Sequence, residues 1–192
     1  MACRVALFAL LLALGLALQS SAPAAPVPKH LMPKEQPFAF PTTVGTTWVY
    51  VDGNNTESTI RISAVEEKDG AKHVITEYVY ADGTRPHHMT RAVSDQGVFL
   101  VAEHGGKYSE PWCVFKLPHK QGQRWETGHG LRTSGPVETV KVPAGEFVAA
   151  RVDWQMDETR VARYWYAHGV GVVFTDGGGS IWKLKQFTPG KQ

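Results

Sequence analysis

From about residue 38 onward, apolar residues recur with a period of two, and turn signals interrupt them at short intervals. Ile60, Ile62 and Ala64 alternate with Thr59, Arg61 and Ser63, and Val148, Ala150, Val152, Trp154 and Met156 repeat the pattern. Successive side chains of a strand point to opposite faces, so a period of two describes half-buried antiparallel strands. The punctuation is equally regular: Asp69-Gly70, Asp82-Gly83, Asp95-Gln96-Gly97, Gly105-Gly106, Pro143-Ala144-Gly145 and Asp176-Gly177-Gly178-Gly179. Asp-Gly between β-prone runs is a hairpin signal, because glycine accepts the positive φ of a type I′ turn. No window of the chain after its N-terminal apolar run carries a helical period. The expectation is an all-β domain over residues 38–188: a single antiparallel sheet curled into a half-barrel or open barrel, with roughly nine to eleven strands at the usual spacing of strand signals.

The first residues read differently. Arg4 precedes an unbroken apolar run, Val5 to Leu18, and the small residues Ser20-Ser21-Ala22-Pro23-Ala24-Ala25 follow. Charge, apolar core and small residues in that order make a secretory signal, assigned to residues 1–24. The run is shorter than the roughly 20 residues of a membrane-spanning helix. An uncleaved anchor is the alternative, and membrane contact would then pass only through the leader. Pro26, Pro28, Pro33 and Pro37 follow. Proline at that density favours an extended spacer, residues 25–37. The expected location is outside the cytoplasm, periplasmic or extracellular.

Charge excludes some functions. Lysine and arginine number 20 against 18 aspartates and glutamates, and basic residues stand singly, so no field steers nucleic acid to this chain. Cys3 leaves with the leader, which makes Cys113 single in the mature chain and rules out an internal disulfide. Of the eight histidines, His87 and His88 are adjacent and would point to opposite faces of a strand. No paired spacing of metal ligands appears, and no metal or other cofactor is expected. Gly-x-Ser-x-Gly, Ser-x-x-Lys and phosphate-binding glycine loops are missing as well, so no catalytic residue is assigned and a hydrolase is the least favoured reading.

One frame occurs twice. Pro41-x3-Gly45-x2-Trp48 and Pro118-x3-Gly122-x2-Trp125 each follow an apolar residue, which suggests two similar corners, one in each half of the sheet. The first of these, together with Val142-Pro143-Ala144-Gly145-Glu146-Phe147 and Trp165-Tyr166-Ala167-x-Gly169-Val170-Gly171, resembles a class of exported bacterial β-rich proteins of mostly unassigned function. That class is similar in outline to the half-barrel fold of the lipoprotein-localisation factors, and the resemblance spans residues 38–187. It implies a concave sheet face able to hold an apolar chain. The sequence departs from the localisation factors in lacking amphipathic helices to plug such a groove.

Trp48, Trp112, Trp125, Trp154, Trp165 and Trp182 fall almost one per strand. Large rings bury much area and serve a core first. Trp48, Trp125, Trp154 and Trp165 are the candidate groove-lining residues. The expected function is that of a non-catalytic envelope module binding a lipid-like, apolar or amphipathic ligand in the concave face. The alternative is a structural or protein-interaction module of the envelope that meets another protein and holds no small molecule.

Overall fold

The computed structural model describes residues 40–128, 130–177 and 180–191, so the expected leader and spacer lie outside the described residues. All regular structure in them is β: β1 (Thr47–Asp52), β2 (Glu57–Lys68), β3 (Ala71–Tyr78), β4 (His87–Ser94), β5 (Gly97–Glu103), β6 (Gly106–Lys116), β7 (Arg124–Glu126), β8 (Leu131–Val142), β9 (Gly145–Gln155), β10 (Val161–Ala167), β11 (Gly171–Gly177) and β12 (Ser180–Thr188). They form a single 12-stranded sheet in the order β6-β5-β4-β3-β2-β1-β12-β11-β10-β9-β8-β7. Each neighbouring pair is antiparallel. Twelve is one strand beyond the sequence expectation, since β7, Arg124–Glu126, is too short to show an alternating run of its own.

Consecutive strands are connected as an up-and-down meander, so connections alternate between two ends. Call the near end the one with the turns after β2, β4, β6, β8 and β10, and the far end the other. The hairpin chemistry is visible at both. At the near end Lys68 pairs with Ala71, and Asp69 and Gly70 take φ of 52° and 75°, the signature of a type I′ turn. At the far end His104 and Gly105 do the same between Glu103 and Gly106; a sequence reading of Gly105-Gly106 places that turn one residue late.

The alternation is interrupted where bulges intervene. Ile60 pairs with Tyr78 and Ile62 with Thr76, but the register then shifts before Ala64. A bulge moves the following residues to the other face, so Val65 opposite Val74, and not Ala64, continues the buried row. Ile62, Val74, Val173 and Leu184 are wholly buried in one core with Trp48. Each such side chain contributes about 1.5–3 kcal/mol by leaving water. A second core joins β5 and β6 to β7, β9 and β10 through Val98, Phe115, Trp125, Val152 and Tyr166.

That second core is the consequence of curling. Phe115 on β6 and Tyr166 on β10 lie 4.7 Å apart between ring centroids, and the Trp125 indole N–H donates to the Cys113 carbonyl at 2.8 Å. The edge strands β6 and β7 thus meet through side chains without a main-chain ladder, and the sheet stays open. Pro111 on β6 has no N–H to offer a neighbour, a common way to terminate pairing at an edge.

The repeated Pro-x3-Gly-x2-Trp frame is a repeated structure. Gly45 and Gly122 have φ of 85° and 82°. The N–H of Gly45 donates to Ile62 O and that of Ile62 to Thr46 O, while Gly122 donates to Ser134 O and Ser134 to Gln123 O. Thr46 closes back on Thr43 and Gln123 on Lys120 in the same way. Each corner starts one six-strand meander, β1–β6 or β7–β12, and each tryptophan is buried.

Candidate functional site

Two parts of the concave face carry chemistry, one at each end. At the near end a cavity of about 560 Å³ is lined by Phe40, Val93, Val98 and Leu117, with Glu67, Lys68, Asp69 and Lys72 from the β2–β3 hairpin among its other walls. Phe40, the first described residue, sits 6.4 Å from Trp48 between ring centroids. On its other side the Arg91 guanidinium lies 5.7 Å from the Phe40 ring and donates to Met89 Sδ at 2.9 Å. An apolar floor with charged hairpin residues beside it suits a molecule with an apolar body and a polar end.

The far end is built by β7–β10. Trp125 pairs with Arg132, Arg132 with Trp154 and Ser134 with Val152, and Val152 with Tyr164. Directly opposed residues share a face, so these side chains project together. The main-chain bonds from Ser134 to Gln123 and from Thr127 to Gly130 extend the same face to Gln123 and Thr127. Arg132 is only 3% exposed. Its guanidinium carbon lies 4.6 Å from the Trp154 ring and 5.7 Å from that of Tyr164.

Among the described residues no carboxylate pairs with it. The ion pairs among the described residues engage Arg61, Arg85, Lys141, Arg151, Arg160, Arg163 and Lys185. Arg132 Nε and Nη1 are buried without a hydrogen-bond partner, as are Ser134 Oγ, Gln123 Oε1 and Thr127 Oγ1. Burying an unpaired ion costs several kcal/mol, and stacking on two rings returns about 1–2 kcal/mol. Burial depresses the pKa of Arg132, opposed by Tyr166, Tyr164 and Cys113, but a guanidinium stays charged. Burial also pushes Tyr166 up to about 12 and raises the Cys113 thiol. Cys113 is therefore an unactivated thiol.

The histidines of β4 diverge as strand alternation requires. His87 Nε2 meets Thr90 Oγ1 at 3.0 Å, whereas His88 is buried with its ring 4.3 Å from that of Tyr78. Burial first, then the charges of Arg91, His104 and His87, push His88 down to about 3. The Glu103 carboxylate, which also reaches this region, accepts a hydrogen bond from Tyr108 at 2.8 Å.

The four candidate tryptophans are not brought into one site. Trp48 is buried near the first cavity and donates to Val170 O at 2.6 Å. Trp125 is buried at the edge-strand seam. Trp165 faces away from Tyr164 and Tyr166, buried against Phe174 at 4.7 Å and donating to Glu138 at 2.6 Å. Trp154 is half-buried and carries the Arg132 guanidinium. Arg91, Arg132, Ser134 and Gln123 are the polar residues that sequence reasoning did not single out. Arg132 lies between Trp125 and Trp154 in the ladder, Ser134 opposite Val152, and Arg91 between Val74 and Leu100, placements that exist only once the strand register is known.

No protein-family model matches the chain, and no curated protein matches it. Among solved structures it is similar to a candidate lipoprotein from Parabacteroides distasonis ATCC 8503, with a TM-score of 0.54 and 18% identity over 81% of this chain and 100% of that one. It is similar also to a candidate exported protein with a YmcC-like fold from Bacteroides fragilis NCTC 9343, with a TM-score of 0.54 and 15% identity over 80% of this chain and 100% of that one. At such identities the likeness is one of fold: an open, curled antiparallel sheet that occurs in a lipoprotein candidate and an exported-protein candidate.

Proposed function

We propose that this protein is a non-catalytic module of the cell envelope, exported by its leader, that binds an amphipathic ligand in the concave face of its sheet. The observation that carries the reading is the near-end cavity of about 560 Å³, whose apolar floor of Phe40, Val93, Val98 and Leu117 lies beside Lys68 and Lys72. An acyl chain against that floor leaves its head group at the hairpin. The leader pattern and the occurrence of the fold in candidate lipoprotein and exported proteins support the setting.

Tryptophan emission tests it, since Trp48 lies behind Phe40. Titration with a medium-chain fatty acid, kept below its micelle concentration, should change emission saturably, and Lys72→Glu, at the exposed wall of the cavity, should weaken the effect by about tenfold by setting a negative charge against the carboxylate head group. The absence of a saturable change with several acyl-chain and glycan ligands would leave the interaction-module reading ahead. That reading has its own observation: Val137 and Val148, on neighbouring strands of the β8–β9 hairpin, are 58% and 68% exposed.

A further inference from the structure

We propose that Arg132 anchors a second binding site, at the far end of the concave face, for an oxyanion of the carboxylate or phosphate type. The inference does not rest on the acyl-chain reading, because it concerns the opposite end of the sheet. Arg132 is buried to within 3%, without an ion-pair partner among the described residues. Its Nε and Nη1 are unpartnered donors, and together with Nη2 they form the planar fork that matches two oxygens of a carboxylate or phosphate.

The neighbours extend the match. The Ser134 hydroxyl, on the same strand face two residues on, is buried and unpartnered, as is the Thr127 hydroxyl; either can donate to an oxyanion. Trp154 and Tyr164 hold the guanidinium from the ring side, which orients the fork. A cavity of about 310 Å³, formed by Glu126, Thr127, Gly128, Gly130 and Leu131, adjoins this turn immediately before Arg132 in the chain. Of these, Glu126 is the carboxylate, and its pairing with Leu131 puts it on the face opposite Arg132. A purely structural arginine would have its donors spent on carbonyls or carboxylates; this one has them in hand.

The test is calorimetric titration of the full mature protein with inorganic phosphate and, separately, with benzoate, at constant ionic strength set by chloride. Benzoate presents a carboxylate with a ring to stack, and phosphate presents the anion alone, so the two arms separate the sources of the oxyanion. Saturable binding of at least one is expected, with a rise in thermal midpoint and a change in tryptophan emission from Trp154. Arg132→Met should weaken it by about tenfold or more, and Arg132→Lys by less, because the charge stays while the fork is lost. Ser134→Ala, a smaller change, should weaken it several-fold and keeps the test decisive if Arg132→Met does not fold. No saturable binding of either anion, or equal affinity in wild type and variants, would overturn the site. Lys72→Glu, an exposed change at the wall of the near-end cavity, should leave these titrations unchanged, so the failure of one site is distinguishable from that of the other.

Discussion

His88 shows how a single residue ties the environment of this fold to its stability. It is buried against Tyr78 and His104, and its Nδ1 has no hydrogen-bond partner, so the neutral ring is the form the fold accepts. With a folded pKa pushed down to about 3 and an ordinary one near 6.5, the unfolded chain takes up a proton that the native state refuses. Stability associated with His88 is therefore present above about pH 6.5 and is lost progressively as the pH falls toward about 3. Thermal melts across that window should show a falling midpoint in the wild type and a shallower fall in His88→Phe, which keeps a ring and removes the titration. Parallel pH profiles would mean that other groups set the acid response. At the same scale the tryptophans divide by what they do: Trp48, Trp125 and Trp165 are buried with their indole N–H groups bonded, whereas Trp154 gives its face to a cation.

Elements of the sheet carry the repeated frame. Proline and a positive-φ glycine turn the chain, the next residues bond to the following long strand, and the tryptophan is delivered inward. The two copies differ in what lies on their open side. β1 finds β12 and forms a ladder running from Thr47–Thr188 to Asp52–Trp182, while β7 meets β6 through a side chain, with Trp125 on Cys113 O, and Tyr166 of β10 reaches Val114 O of β6 beside it. Opening the β6–β7 seam breaks few bonds, and opening the β1–β12 seam breaks a ladder. Native-state hydrogen exchange should then show β7 amides exchanging about tenfold or more faster than those of β1 and β12. Equal protection on the two sides would mean that the edges are joined more tightly than their bonding implies. The frame was legible in the sequence because turn chemistry is local. The unequal seams were not, because β6 and β7 are separated only by residues 117–123, and whether such neighbours form a ladder depends on how the whole sheet curls.

On the scale of the whole molecule the leader and the sheet make separate claims. If residues 1–24 are removed on export, protein recovered outside the cytoplasm should begin between residues 22 and 27, which N-terminal sequencing would read directly. An intact Met1 on membrane-bound material would instead make the leader an anchor. What the sequence by itself determined is the class of fold and its rhythm, because a period of two and turn residues are consequences of local backbone geometry. The expectation of almost one tryptophan per strand is corrected by the structure, where the six tryptophans fall on six of the twelve strands, and the sequence did not determine which were core. Only the tertiary structure decided which face each ring took, since bulges such as that between Ile62 and Ala64 shift parity partway along a strand. It alone decided that Arg132 would be buried against Trp154 and Tyr164 with no ion-pair partner among the described residues. A charge written in sequence carries no sign of its burial, and the register of β8, β9 and β10 places those residues on one face.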